Sequence, residues 1–149
     1  MRELPRKLTP DELAELFEGR TRLVERLAEL DDPLGRADDV LAELSENEQV
    51  EALNAHPAIG ARALSPRSAA EQGSAGDPAV LSELAYLNQV YEEKFGFRFV
   101  VFVHGRSKRE VLDVLRERLA RTREEELDTG CRELVAIARD RWTTGLPDA

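Results

Sequence analysis

Apolar residues return at three- and four-residue intervals along most of this chain, the spacing that lines one face of an α-helix. They do so at Leu13, Leu16 and Phe17; at Leu23, Val24 and Leu27; at Val40, Leu41 and Leu44; and at Val50 and Leu53. Longer stripes run through Val80, Leu81, Leu84, Leu87, Tyr91 and Phe95, then through Val111, Leu112, Leu115 and Leu119. The last runs through Leu127, Cys131, Leu134, Val135, Ala138 and Trp142. Start signals punctuate the stripes. Ser/Thr-x-x-Glu capping boxes stand at Thr9–Glu12, Ser45–Glu48, Ser68–Glu71, Ser107–Glu110 and Thr122–Glu125, and Asp77-Pro78 opens a further helix. The pattern predicts an all-α fold: a compact single-domain bundle of about seven to eight helices over residues 1–149, with its core at about 8–142.

One stretch departs from this. Phe97-Arg98-Phe99-Val100-Val101-Phe102-Val103 is β-branched and aromatic, and by propensity reads as a strand. A lone strand has no neighbour for its backbone groups. The expectation is therefore a buried extended segment, or a distorted helix threading the core, whose amides could face a ligand.

Composition narrows the function classes. The chain has 149 residues, 21 basic against 30 acidic, and a net charge of −9. Without a basic stripe interleaved with aromatics, no nucleic-acid partner is expected. The same field repels small anions, so an anion site would need a local arginine. The single cysteine, Cys131, has no companions at zinc-ligand spacing, and no metal site is expected. The first residues lack the apolar run of a signal peptide and no segment approaches membrane-spanning length, so the expected location is cytoplasmic, with no membrane partner.

Chemistry-bearing residues gather where the helical pattern is broken. His56 lies in His56-Pro57-Ala58-Ile59-Gly60, and Ser68-Ala69-Ala70-Glu71-Gln72 follows shortly after. The plain reading of His56 is a helix C-terminal residue, because Pro57 disfavours helical geometry in the residue before it and the helix dipole welcomes a partial positive charge there. The plain reading of Glu71 is the far half of the Ser68 capping box. His104, before Gly105, reads as a turn residue, and Asn88, on a buried stripe, as a structural amide. On a helical wheel Arg141 falls inside the apolar arc of Leu134, Ile137, Ala138 and Trp142, whereas Arg139 lies at its edge. A guanidinium aimed into a core needs an anionic or strongly hydrogen-bonding partner; the bland alternative is snorkelling from a frayed helix end.

Taken in order, His56-Pro57-x-Ile59-Gly60, Ser68-x-x-Glu71-Gln72, Leu87-Asn88-x-x-Tyr91-x-x-Lys94-Phe95-Gly96-Phe97-x-Phe99, Gly105-Arg106-Ser107 and Ile137-Ala138-Arg139-x-Arg141 form an ordered set. It resembles the 2-oxo-4-hydroxy-4-carboxy-5-ureidoimidazoline (OHCU) decarboxylase family of urate degradation, over roughly Leu8 to Trp142. The resemblance implies an all-helical, cofactor-free carbon–carbon lyase, usually a homodimer, that converts OHCU to S-allantoin and carbon dioxide. It places the catalytic histidine on His56 and the active-site glutamate on Glu71. Substrate contacts fall on Pro57, Ser68, Gln72, the segment Phe99, Val100, Val101, Phe102 and Val103, and Arg141. The chain departs from the family pattern at Arg98, where many relatives have proline, and in a compact region before His56 without the tryptophan and other aromatics expected in some members. Two other readings stand beside it: a paralogous lyase or isomerase acting on another ureido or imidazoline acid, and a non-catalytic helical interaction module. The set His56, Glu71, Gln72 and Arg141 argues against the module, since a binding surface needs no such set.

Overall fold

Six of the seven described helices begin where a hydroxyl or carboxylate takes up a backbone N–H that the helix itself leaves unbonded. The computed structural model describes residues 7–56 and 78–144. Seven helices lie among them: α1 Pro10–Phe17, α2 Arg22–Leu27, α3 Pro33–Glu43, α4 Glu46–Ala55, α5 Pro78–Phe95, α6 Lys108–Leu119 and α7 Arg123–Thr144. The boxes expected at Thr9, Ser45 and Ser107 are formed in both directions. At Thr122 the Oγ1 accepts from the Glu125 N–H at 3.2 Å, and the Thr122 N–H donates to Glu125 Oε1 at 3.0 Å. The Ser68–Glu71 box lies outside the described residues. Two caps escaped the sequence reading, Thr21 before α2 and Asp32 before Pro33 of α3. Each such cap contributes about 1 kcal/mol. In the boxes the serine or threonine holds Glu48, Glu110 and Glu125 below the usual carboxylate range, so this support fades as pH falls through their lowered values.

The stripes become the core as the periodicity predicts. Leu13, Leu16, Phe17, Leu23, Leu27, Leu53, Leu84, Tyr91, Phe95, Leu115 and Leu134 are all buried. The long α7 packs against α1, α3 and α4, α2 bridges α1, α3 and α4, and α5 packs on α6. Gly130 lets α7 approach α4 closely, since a Cβ there would meet the Leu53 side chain at 3.3 Å. α5 stops at Gly96, whose φ of 81° is the left-handed conformation that ends helices and whose N–H donates to the Glu92 carbonyl at 2.9 Å.

Phe97–Val103 is neither strand nor helix: Phe97 lies in a bend and the rest has no regular structure, which excludes the distorted helix and leaves the buried, extended segment of the two expectations. Its side chains fill the core: Phe97, Phe99, Val100, Val101 and Val103 are buried. Its backbone groups are met by side chains instead of a second strand. Arg98 N–H donates to Asn54 Oδ1 at 2.9 Å, Phe102 N–H donates to Glu133 Oε1 at 3.2 Å, and Arg118 Nη1 donates to the Val100 carbonyl at 2.7 Å.

Arg118 belongs to a buried polar knot. Its Nε donates to Glu126 Oε1 at 2.7 Å, and Tyr91 Oη donates to the same oxygen at 2.6 Å. Arg121 Nη1 reaches Glu126 Oε2 at 3.1 Å. The guanidinium also lies over the Phe99 ring, 4.6 Å from its centroid, within an aromatic group of Tyr91, Phe95, Phe97 and Phe99. Burial, followed by the Glu126 carboxylate, pushes the Tyr91 phenol far above its ordinary range. Glu126 has no exposed surface, so removing it strands a buried cation, which typically costs about 3–5 kcal/mol. We expect Glu126→Leu to lower stability by roughly that amount in urea unfolding. The Arg118→Met/Glu126→Leu double variant should lose clearly less than the two single losses added together. Strict additivity would show that the two charges do not depend on each other.

Candidate active site

The backbone after α4 turns extended as Pro57 in the sequence requires: His56 caps the helix at φ −78° and ψ 137°, and its N–H still donates to the Leu53 carbonyl at 3.1 Å. His56 is 7% exposed, so it lies within the fold and does not trail into solvent as a helix-end histidine could. The plain reading of its place is correct, and it leaves the chemical reading open.

Arg98 lies directly against it. Arg98 Nη1 donates to the His56 carbonyl at 2.8 Å and to the Asn54 carbonyl at 3.3 Å. His56 and the beginning of the extended segment are thus brought together although the two are far apart in sequence. Within Phe99, Val100, Val101, Phe102 and Val103, only Phe102 is more than slightly exposed. The side chains of the other four belong to the core, so a ligand beside this segment would be read by its backbone.

Arg141 is fully buried, as the helical wheel predicts, and the anionic partner it needs is Glu18. Nη2 lies 2.9 Å from Glu18 Oε1, and Nη1 donates to the Leu16 carbonyl at 2.9 Å. Snorkelling from a frayed end is excluded. Glu18 itself occupies the left-handed region at φ 67°, uncommon for a residue with a side chain. Gly19 follows, and a Cβ placed on it would lie 3.4 Å from that of Ala55, next to His56. The C-terminal ends of α1 and α4 therefore lie side by side, with Arg141 anchored to one and His56 ending the other. Arg139 sits at the edge of the arc, half-buried on α3, with Nε donating to the Leu34 carbonyl at 2.9 Å and Nη1 3.2 Å from Asp38.

Pro57, Ser68, Glu71 and Gln72 lie outside the described residues. His104 is an exposed turn residue at φ 46°, its ring 4.8 Å from that of Phe102, and Asn88 is buried on its stripe. The roles of four residues were missed from sequence. Arg118 and Glu126 could have been found, since they sit at helical spacing from Val111 and Leu115 and from Gly130 and Leu134. The contacts of Arg98 and Glu18 span long stretches of sequence and carry no local signal.

An open cavity of about 540 Å³ lies elsewhere, between α3, the first turn of α4 and α7, lined by Asp38, Gln49, Glu124, Asp128, Cys131 and Arg139 among others. Its two arginines, Arg132 and Arg139, are already paired with Asp128 and Asp38, and Glu124 adds a further negative charge, which makes it a poor place for an anion. Burial, then Asp128 and Asp38, push the Cys131 thiol up to about 12, so it is no nucleophile at neutral pH. Among the described residues no group of three or more histidine, cysteine or carboxylate side chains could hold a metal ion. No described helix is long and apolar enough to cross a membrane.

Comparison with known proteins agrees with this geometry. The OHCU decarboxylase family profile matches residues 2–143. A 2-oxo-4-hydroxy-4-carboxy-5-ureidoimidazoline decarboxylase from Halalkalicoccus jeotgali is 32% identical over 105 residues, covering 67% of this chain and 60% of the relative. A uric acid degradation bifunctional protein from Bacillus sp. (strain TB-90) is 32% identical over 108 residues, covering 69% of this chain and 22% of the relative. The chain thus spans less than two thirds of either relative. A crystal structure of an OHCU decarboxylase in the presence of (S)-allantoin superposes with a TM-score of 0.76 at 24% identity, covering 89% of this chain and 96% of that one, a likeness of fold. Since the family profile runs from before α1 into the last turn of α7, the chain belongs to the OHCU decarboxylase family.

Proposed function

We propose that this chain decarboxylates OHCU to S-allantoin in urate degradation, without a cofactor, as one domain that pairs into a cytoplasmic homodimer. The observation that carries the reading is a family match over residues 2–143 in which the motif histidine, His56, is held inside the fold against the extended segment.

The substrate suits such a site. Its carboxylate is on a carbon beside a C=N bond, so when the C–C bond to carbon dioxide breaks, the electron pair has somewhere to go. It forms a ring C=C while the nitrogen of the former C=N takes a proton. The resulting enol loses its hydroxyl proton, and the ureido-bearing carbon gains a proton on one face, giving one enantiomer. Imidazole suits this exchange, because a group with a reference pKa near 6.5 both takes and gives protons around neutrality. His56 handles the ring hydroxyl or the delivered proton. Glu71 orients His56 or the ureido N–H groups, while Pro57, Ser68, Gln72 and the backbone of Phe99–Val103 bound the ring and ureido edges. Arg141, its orientation fixed by Glu18 and the Leu16 carbonyl, supplies a planar donor fork for substrate oxygens.

The direct test generates the substrate enzymatically and follows the chiral product by circular dichroism, with and without a chelator. We expect S-allantoin at a rate the chelator leaves unchanged. A rate no faster than the spontaneous reaction would remove the proposal. His56→Asn should lose about 10²–10⁴-fold in rate with the helical signal intact, and normal turnover would reduce His56 to a helix cap. Arg141→Lys should cost roughly ten- to a hundredfold in kcat/KM, the loss of one charge-assisted hydrogen bond, whereas Arg139→Lys stays near wild type. A loss in thermal stability alone would make Arg141 a clamp between α7 and α1. Light scattering should give a mass near twice 16.7 kDa.

A further inference from the structure

The last turn of a helix leaves carbonyls without intrahelical donors, and at α4 those carbonyls belong to the residues leading into His56. Arg98 takes two of them. One guanidinium nitrogen, Nη1, donates to the His56 carbonyl at 2.8 Å and the Asn54 carbonyl at 3.3 Å. The crossing is reciprocal, because the Arg98 N–H donates to Asn54 Oδ1 at 2.9 Å. Glu92 of α5, with Oε1 4.0 Å from Nη2, draws the guanidinium from its other side. The positive charge also sits at the negative end of the α4 dipole. A proline at this position would have neither the guanidinium nor the N–H, so the clamp depends on the arginine that stands here.

We propose that Arg98 is a positioning residue for His56, fixing the peptide plane on its carbonyl side and with it the direction in which the imidazole leaves the backbone. The proposal rests on the reading of His56 as the proton-transfer group. It acts through His56 and touches no reacting atom. A displacement of about 1 Å in a reacting group can cost on the order of 10²-fold, so the partial loosening here should cost about tenfold in kcat.

The chain has two histidines, which makes the test direct. Nitrogen–proton correlation spectra of the imidazoles, assigned with His104→Asn, are compared at one pH for the wild type, Arg98→Met, Arg98→Lys and Asn54→Ala. Asn54 is exposed, so truncating it leaves the core intact and serves if Arg98→Met does not fold. We expect Arg98→Met and Asn54→Ala to move or broaden the His56 resonances and leave those of His104 in place, with Arg98→Lys between wild type and Arg98→Met. kcat should follow the same order while KM changes by less than about twofold, as for an interaction realised in the transition state. His56 resonances that coincide with wild type in Arg98→Met, or in Asn54→Ala where that variant stands in for it, would overturn the proposal. So would shifted resonances with unchanged kcat in a protein that His56→Asn inactivates. If His56→Asn is itself silent, the functional reading fails, and the resonances alone decide whether Arg98 holds His56.

Discussion

The carbonyls that end a helix cannot all be bonded within it, and in this protein several are met by cations from distant elements. Arg141 of α7 bonds the Leu16 carbonyl at the end of α1. Arg98 bonds those of Asn54 and His56 at the end of α4, Arg123 that of Phe95 at the end of α5, and Lys94 that of Leu119 at the end of α6. Each contact satisfies orphan acceptors and places positive charge at the negative end of a helix dipole. Each also sets where one helix stops relative to another. In a chain with net charge −9, positions that fix helix ends account for several of its 21 cations, and the ends they fix include the one that carries His56.

The extended segment imposes a similar demand in the middle of the fold. Its side chains are core and its peptide groups are polar, with no second strand among the described residues to bond them. Asn54, Glu133 and Arg118 meet that demand from three different helices. Using Arg118 brings a charge into the interior, which then requires Glu126, and Glu126 in turn gathers Tyr91 and Arg121. Such buried pairs seldom add net stability, but losing one member is costly. The knot fixes the path of a segment that a looser core would let slide, and that path runs beside His56.

Those two demands meet at the candidate site. The Arg98 guanidinium bonds the end of α4 and its N–H is bonded by the Asn54 side chain, so one reciprocal pair sets the distance between α4 and the extended segment. Glu18 does comparable work at α1, accepting an unfavourable backbone conformation while its carboxylate balances Arg141. Catalysis by proton transfer needs groups held to within a fraction of an ångström, and these contacts are of the kind that provide it.

The sequence by itself determined the helices, most of their starts and their buried faces, because capping boxes and three-to-four spacing are local and act within a turn or two. The caps at Thr21 and Asp32 form no such box and went unread. It also determined that Arg141 points inward and that His56 ends a helix before Pro57. Residue order carried the family, since His56-Pro57, Glu71-Gln72 and the Asn88–Phe99 pattern are readable without coordinates. Only the tertiary structure decided what answers each buried charge and each unbonded carbonyl. Glu18 for Arg141, Arg98 for the end of α4, and Arg118 for Val100 are pairings between residues far apart in the chain or on different elements. No periodicity encodes them, because hydrogen bonds are set by the positions of atoms in space, and those positions exist only once the helices have packed.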